Sequence, residues 1–375
     1  MQPVSGNKLK ILVAPLDWGL GHTTRCIPII YELLKSGVEV LLAGNDVQQA
    51  LLQKEFPQCT FLQLQGYNIS YSHWGRGFIW KIFQQAPSIL KSVSKENKWL
   101  EDAIEEHSID AVISDNRFGL YSKKVPCVFI THQLLIKNGM GDFAESVLQQ
   151  FNYKRINHFS KCWIPDYEGV PNLAGELSHP EKMPEVPCEY IGPLTRIDNL
   201  HVAQAKEHVL IMLSGPEPQR TLFEEIILGQ LKNFNATATV VRGKPADSSP
   251  SPEVEGVTVF NHLTKKELNE ELCRAEYIVS RTGYSSVMDI ANLAIKPILV
   301  PTPGQTEQEY LAEYLSRQKF CITSSQKDFN LVNLLEEAKS FHFQNPFRQK
   351  KYNLSEVVQK FVTELENKRA TRSWE

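Results

Sequence analysis

The chain has 375 residues, of which 42% are hydrophobic and 22% charged, with a formal net charge of -3. This length suits two domains, the composition is that of a globular protein and argues against disorder as the bulk state, and the charge gives the whole molecule no strong pull on nucleic acid, so any phosphate recognition is expected to be local. Seven cysteines without a CxxC pair argue against a disulfide framework and a zinc site; most are expected to be reduced and buried.

In chain order, a short polar run gives way to the apolar strand "LKILVAP" without the basic and long apolar regions of a signal peptide. The loop "LDWGLGH", a helix from Thr23 to about Lys35, the strand "VEVLLAG", a further helix and "FLQLQ" follow, and "IDAVISD" (109–115) and "VPCVFITH" (125–132) continue the alternation. Such alternation marks a parallel sheet covered by helices on both faces. A Pro-, Gly- and acid-rich stretch, 165–187, reads as a connector, after which the pattern restarts with "HVLIMLSG" (208–215), "ATATVVRG" (236–243), "VTVF" (257–260), "EYIVS" (276–280) and "PILVP" (297–301). The expected architecture is α/β, with two doubly wound Rossmann-like domains facing across a cleft. The first spans 1–165, joined by an amphipathic C-terminal helix in 346–375; the connector is 166–200 and the second domain 201–345. No window holds the roughly eighteen apolar residues of a membrane span, so a cytoplasmic protein is expected.

Ligands of open parallel sheets sit beyond the carboxyl ends of the strands, and the chemistry-bearing residues cluster there. After the first strand, Gly19 and Gly21 permit close backbone approach, His22 stands at a helix entrance and Arg25 lies one turn further along. His22 is the acid–base candidate, because its ordinary pKa lies near neutrality and a helix N-terminus favours its neutral form; the alternative is a histidine that caps the turn. Asp17 either orients His22 or serves as the base itself. Asp115, Asn116 and Arg117 form a second polar cluster on the same rim, with Arg117 equally suited to an ion pair, and His132 ends another strand there.

In the second half, Ser214 with Gly215, and Gly283 with an N-cap at Ser285 or Ser286, read as helix-entrance turns that cradle two phosphates. Asp289, one turn into its helix, is either a ribose ligand or a solvated side chain. Gln305, Glu307 and Gln308 offer amide and carboxylate groups to sugar hydroxyls, and Arg196 or Arg281 can meet leaving-group charge without a metal, since no carboxylate pair or His/Cys set has ligand spacing. A nucleotide sugar meets these demands together. The aromatic stretch "YSHWGRGFIWKIF" (71–83) suits either burial or contact with a lipid headgroup region or an apolar acceptor tail.

The stretch "SRTGYSSVMDIANLAIKPILVPTPGQTEQEYLAEYL" resembles the donor signature of GT-B glycosyltransferases, in particular the family that adds N-acetylglucosamine to the lipid-linked peptidoglycan precursor. The resemblance implies that Asp289 holds the ribose, Gln308 and Glu309 the donor sugar, and Gly283 and Ser214 the diphosphate. Arg196 of "IGPLTR" would be the donor-side arginine, and backbone around Asn261, His262 and Leu263 would hold the base. "SGPEP" stands where that family has "SQG", and "GLGHTTR" also resembles a sugar-nucleotide hydrolase of the same fold. The expected activity is inverting transfer of a hexose-type sugar, an N-acetylhexosamine, from a UDP-sugar to an acceptor hydroxyl, with no cofactor. The acceptor is unidentified, either a glycan or a lipid-linked molecule, with peripheral membrane contact in the latter case. The rival expectations are a nucleotide-sugar hydrolase or epimerase, and a non-catalytic sensor.

Overall fold

A computed structural model describes residues 8–18, 20–66, 78–200, 202–232, 234, 236–245, 247, 249–348 and 350–372, with the backbone alone described for 78–89. The first half contains β1 (Lys10–Pro15), α1 (Leu20–Lys35), β2 (Glu39–Gly44), α2 (Asp46–Glu55), β3 (Thr60–Gln63), α3 (Phe78–His107), β4 (Ala111–Asp115), β5 (Cys127–Ile130), α4 (Asp142–Ile156), β6 (Lys161–Ile164) and β7 (Cys188–Tyr190). The second contains β8 (Ala205–Met212), α5 (Gln219–Leu231), β9 (Ala238–Val241), β10 (Val257–Phe260), α6 (Lys265–Arg274), β11 (Ala275–Ser280), α7 (Tyr284–Ala291), β12 (Lys296–Leu299), α8 (Thr306–Arg317), β13 (Ile322–Thr323) and α9 (Leu331–Ser340); α10 (Leu354–Arg372) ends the chain.

The strands form two parallel sheets, ordered β3-β2-β1-β4-β5-β6-β7 and β10-β9-β8-β11-β12-β13. Ile11, Leu12, Val13, Val112 and Ile113 have no solvent exposure, which explains why these strands are apolar runs without alternation: helices cover both faces. Polar side chains appear where the strands end, as with Asp115 of β4 and Ser280 of β11. In each sheet the chain winds to one edge and then resumes on the other side of its first strand. This leaves switch points between β1 and β4 and between β8 and β11, where crevices form beyond the strand ends.

One apolar cluster runs from Ile11, Ile27 and Ile30 through Leu263, Tyr284 and Met288 to Val358, Phe361, Val362 and Leu365 of α10, so the two halves share core. Helix α10 returns to the first sheet, where Phe361 meets the Trp163 ring edge-on at 5.4 Å and Glu364 lies 2.8 Å from Lys161. Strand β7 lies within the segment read from the sequence as connector and extends the first sheet through β6. All seven cysteines are free and six are buried. Among the described residues no helix is long and apolar enough to cross a membrane.

Candidate active site

The first switch point assembles a polar group from residues far apart in sequence. Because β1 and β4 are neighbours, Pro15 is in register with Asp115. Helix α1 starts at Leu20, earlier than the expected Thr23, so His22 lies in its first turn. Gln48 fixes this corner: its Nε2 donates to the Pro15 carbonyl at 3.0 Å and reaches Thr23 Oγ1 at 3.3 Å. His22 Nδ1 then lies 3.1 Å from Asp115 Oδ2, while Arg25 Nε donates to the same oxygen at 2.7 Å and Arg25 Nη2 donates to Oδ1.

Asp115 is fully buried. Burial alone would raise its carboxyl pKa, but the Arg25 guanidinium and His22 hold it down to about 2. It is therefore an anion at neutral pH, and His22 Nδ1 must carry the hydrogen that it donates. Burial and the Arg25 charge outweigh Asp115 and lower the pKa of His22 itself. Its imidazole is neutral, with an Nε2 lone pair that has no partner among the described residues. Asp115 is thus the carboxylate that orients His22. Asp17, the other expected partner, has its carboxylate beside Gly66, so close that a side chain there would overlap it.

Other first-half expectations divide. Arg117 does not serve an acceptor; it is fully buried, with Nε 2.5 Å from Glu96 and Nη2 donating to the Gln65 carbonyl at 2.7 Å. Asn116 takes the left-handed conformation, φ 56°, that turns the chain after β4. Gly19 and 71–77 lie outside the described residues, as do the side chains of 78–83. His132 does reach the site, and it joins the two halves: its Nε2 is 2.8 Å from Glu307 Oε1, and its ring stacks on Tyr284 at 3.9 Å. Ser285 Oγ donates to the Gly21 carbonyl at 3.2 Å, and Tyr284 donates to the Pro165 carbonyl at 2.7 Å.

At the second switch point α7 begins at Tyr284 with Gly283 as its N-cap and no side-chain cap. Its first-turn amides, which no intrahelical bond can satisfy, face outward with the positive end of the helix dipole. The expected cap at Ser285 or Ser286 is therefore corrected, since Ser285 bonds across to Gly21 instead. Ser214 and Gly215 do not open a helix either. Pro216 and Pro218 delay α5 to Gln219, and Gly215 makes the turn with φ 105°. Arg281 is buried, its guanidinium donating to the Gln219 carbonyl at 2.9 Å and the Pro301 carbonyl at 3.2 Å; burial pulls its pKa down to about 10. It ties strand ends together, and its Nε is buried without a partner among the described residues.

Beside these turns lie two residues that the sequence reading missed. The hydroxyls of Thr282 and Thr302 are buried and have no hydrogen-bond partner among the described residues; a small polar residue just past each of two consecutive strands was the available signal. Asp289 is half-buried and accepts from Thr195 Oγ1 at 2.7 Å; burial raises its pKa to about 6 against the pull of Thr195 and Arg196. Arg196 Nε is buried without a partner among the described residues. His262 is exposed, its pKa lowered by partial burial and by Arg196 and Lys54, and Leu263 is buried. The loop after β12 is closed by its own side chains: Gln308 Oε1 accepts from the Thr302 amide at 2.9 Å, Gln308 Nε2 donates to Gln305 at 2.6 Å, and Glu309 accepts from the Gly304 amide at 2.9 Å.

The model of Glycosyl transferase family 1 matches residues 9–339. An uncharacterized glycosyltransferase of Methanosarcina acetivorans is 21% identical over 344 residues, covering 83% of this chain and 84% of its own. Two solved structures share the fold. MurG of Acinetobacter baumannii superposes with a TM-score of 0.57 at 13% identity, over 95% of this chain and 99% of its own. UGT2 of Phytolacca americana, complexed with UDP-2-fluoro-glucose and pterostilbene, superposes with a TM-score of 0.60 at 12% identity, over 98% and 100%.

Proposed function

The chain belongs to glycosyl transferase family 1 and is a glycosyltransferase; from that premise we propose that it moves a hexose-type sugar, an N-acetylhexosamine, from a UDP-sugar to an acceptor hydroxyl, with inversion and without a bound metal. The observation that carries this reading is the His22–Asp115 pair, with Nδ1 held at 3.1 Å from an ionised carboxylate and Nε2 left as a proton acceptor. The acceptor hydroxyl gives its proton to Nε2 as its oxygen bonds to C1 of the sugar. The bond from C1 to the phosphate oxygen breaks on the opposite face, and its electron pair leaves with UDP. Asp115 stabilises the imidazolium that forms, and such base catalysis is worth about 100- to 10,000-fold in rate.

The remaining groups are assigned by position. The outward amides of α7 and the Thr282 and Thr302 hydroxyls receive the diphosphate, with Arg196 alongside; Asp289 takes the ribose, and backbone near His262 and Leu263 the base. Gln305, Gln308 and Glu309 meet the sugar once the loop rearranges around it. Uridine as the base accords with the UDP-sugar bound by the Phytolacca enzyme, and the N-acetylhexosamine reading follows the resemblance of residues 280–315 to the peptidoglycan transferase signature. Thermal-shift measurements against a panel of nucleotide sugars test the donor, because a ligand that binds only the folded state raises the melting temperature. Protection by UDP-N-acetylhexosamines above the other nucleotides supports the assignment; protection confined to another base overturns it. The anomeric configuration of the glycoside, read by proton NMR, tests inversion, and retention of the donor configuration overturns it.

A further inference from the structure

Helix α8 reaches the first-half site through Glu307. Its Oε1 lies 2.8 Å from His132 Nε2, and its Oε2 accepts from Gln133 Nε2. On the other edge of the His132 ring, Nδ1 lies 3.5 Å from Arg25 Nη1. Arg25 grips Asp115 through Nε and Nη2, and Asp115 holds His22. A guanidinium only donates, so His132 Nδ1 accepts from Arg25 and its Nε2 carries the hydrogen given to Glu307. Every contact in the series then has a donor and an acceptor, and the His132 ring is held flat against Tyr284.

We propose that Glu307 and His132 are positioning residues for the transfer: the contact between α8 and the end of β5 fixes Arg25 and, through it, the orientation of Asp115 and the base His22. Glu307 belongs to the second sheet's half and the other four residues to the first, so the series is complete only while the halves are in contact. Alignment of the base is thereby made conditional on closure of the cleft. The inference rests on His22 being the base. It goes beyond the sequence reading, which gave Glu307 to the sugar and left His132 as a lining residue.

The charges give it a sign. Facing His22 are Asp115 from β4, Arg25 from α1, His132 from the end of β5 and Glu307 from α8, while the Cys26 thiol of α1 lies against Asp115. Arg25 opposes protonation of His22, and Glu307 partly offsets Arg25. Removing the Glu307 charge leaves Arg25 less compensated, so His22 becomes harder to protonate.

The test is an NMR titration of the ligand-free full-length protein labelled with carbon-13 histidine, the His22 signal being identified by its loss in His22→Gln. In Glu307→Gln the His22 midpoint falls by about half a pH unit or more, roughly threefold in proton affinity. It returns toward the wild-type value in Glu307→Asp and stays in place in Gln133→Ala, which removes a hydrogen bond to Glu307 Oε2 but keeps the charge and the contact of Oε1 with His132. An unmoved midpoint in folded Glu307→Gln, or an equal movement in Gln133→Ala, overturns the proposal. Retained turnover in His22→Ala would overturn the base assignment instead, so the two failures are distinguishable.

Discussion

Ser285 Oγ, in the first turn of α7, donates at 3.2 Å to the carbonyl of Gly21, in the first turn of α1. Two helix entrances from different sheets therefore meet at the site. Any residue larger than glycine at position 21 would crowd this contact, since a β-carbon there lies 2.9 Å from Ser285 Oγ. The proposed base, His22, and the first-turn amides of α7 proposed for the diphosphate are brought together by this approach of the halves, and neither half carries the whole candidate site.

Asp115→Asn should cost both rate and stability. The amide no longer fixes the His22 tautomer or balances the imidazolium, so turnover falls roughly 100- to 10,000-fold. It also leaves the buried Arg25 guanidinium without its counter-charge, which costs about 3–5 kcal/mol in chemical denaturation. The Asp115 pKa of about 2 lies below its unfolded value. Its stabilisation is therefore complete above about pH 4 and is lost as pH falls through about 2. Acid denaturation of the wild type should steepen across that window, and the variant should lack that component.

Arg117→Met separates structure from acceptor binding. Arg117 is fully buried against Glu96 and the Gln65 carbonyl, so removing it takes the counter-charge from a buried carboxylate and lowers stability by about 3–5 kcal/mol. Steady-state kinetics of the folded variant should give an acceptor KM within about twofold of wild type; a large rise in KM would return Arg117 to the acceptor site.

Donor affinity should rise with pH through about 6. Burial raises the Asp289 pKa to about 6; below that pH the group is a carboxylic acid, and above it a carboxylate that accepts hydrogen bonds from ribose hydroxyls. Thr195→Val removes the 2.7 Å hydrogen bond that favours the anion, so the midpoint moves upward. Calorimetric titration of UDP across pH 5 to 8 checks both, and a flat profile removes Asp289 from the ribose site.

The architecture was legible because parallel strands buried on both faces must be continuous apolar runs, as "LKILVAP" and "HVLIMLSG" are. The place of His22 was legible because a histidine between a strand end and a helix is forced to the rim of the sheet. Its partner was not. Asp17 is nearer in sequence, but Asp115 is nearer in space, because β4 crosses over to lie beside β1, and spacing along the chain does not encode that pairing. The same limit hid the contact between His132 and Glu307, which joins different sheets. Two local features were also hidden. Spacing gave no sign that backbone carbonyls would take the two terminal nitrogens of Arg281, and the prolines after Gly215 postpone the helix expected to open at Ser214. The length of the loop from β12 to α8 gave no sign that Gln308 and Glu309 would bind its own backbone.

The most direct measurement is UDP release by His22→Ala, made with the donor found by thermal shift and an acceptor found by array screening, alongside the donor Kd from calorimetry. Loss of the base should lower kcat by about 100-fold or more while the donor Kd stays within about twofold. Turnover within tenfold of wild type, with the donor bound normally, would contradict the assignment of His22 as the group that takes the acceptor's proton.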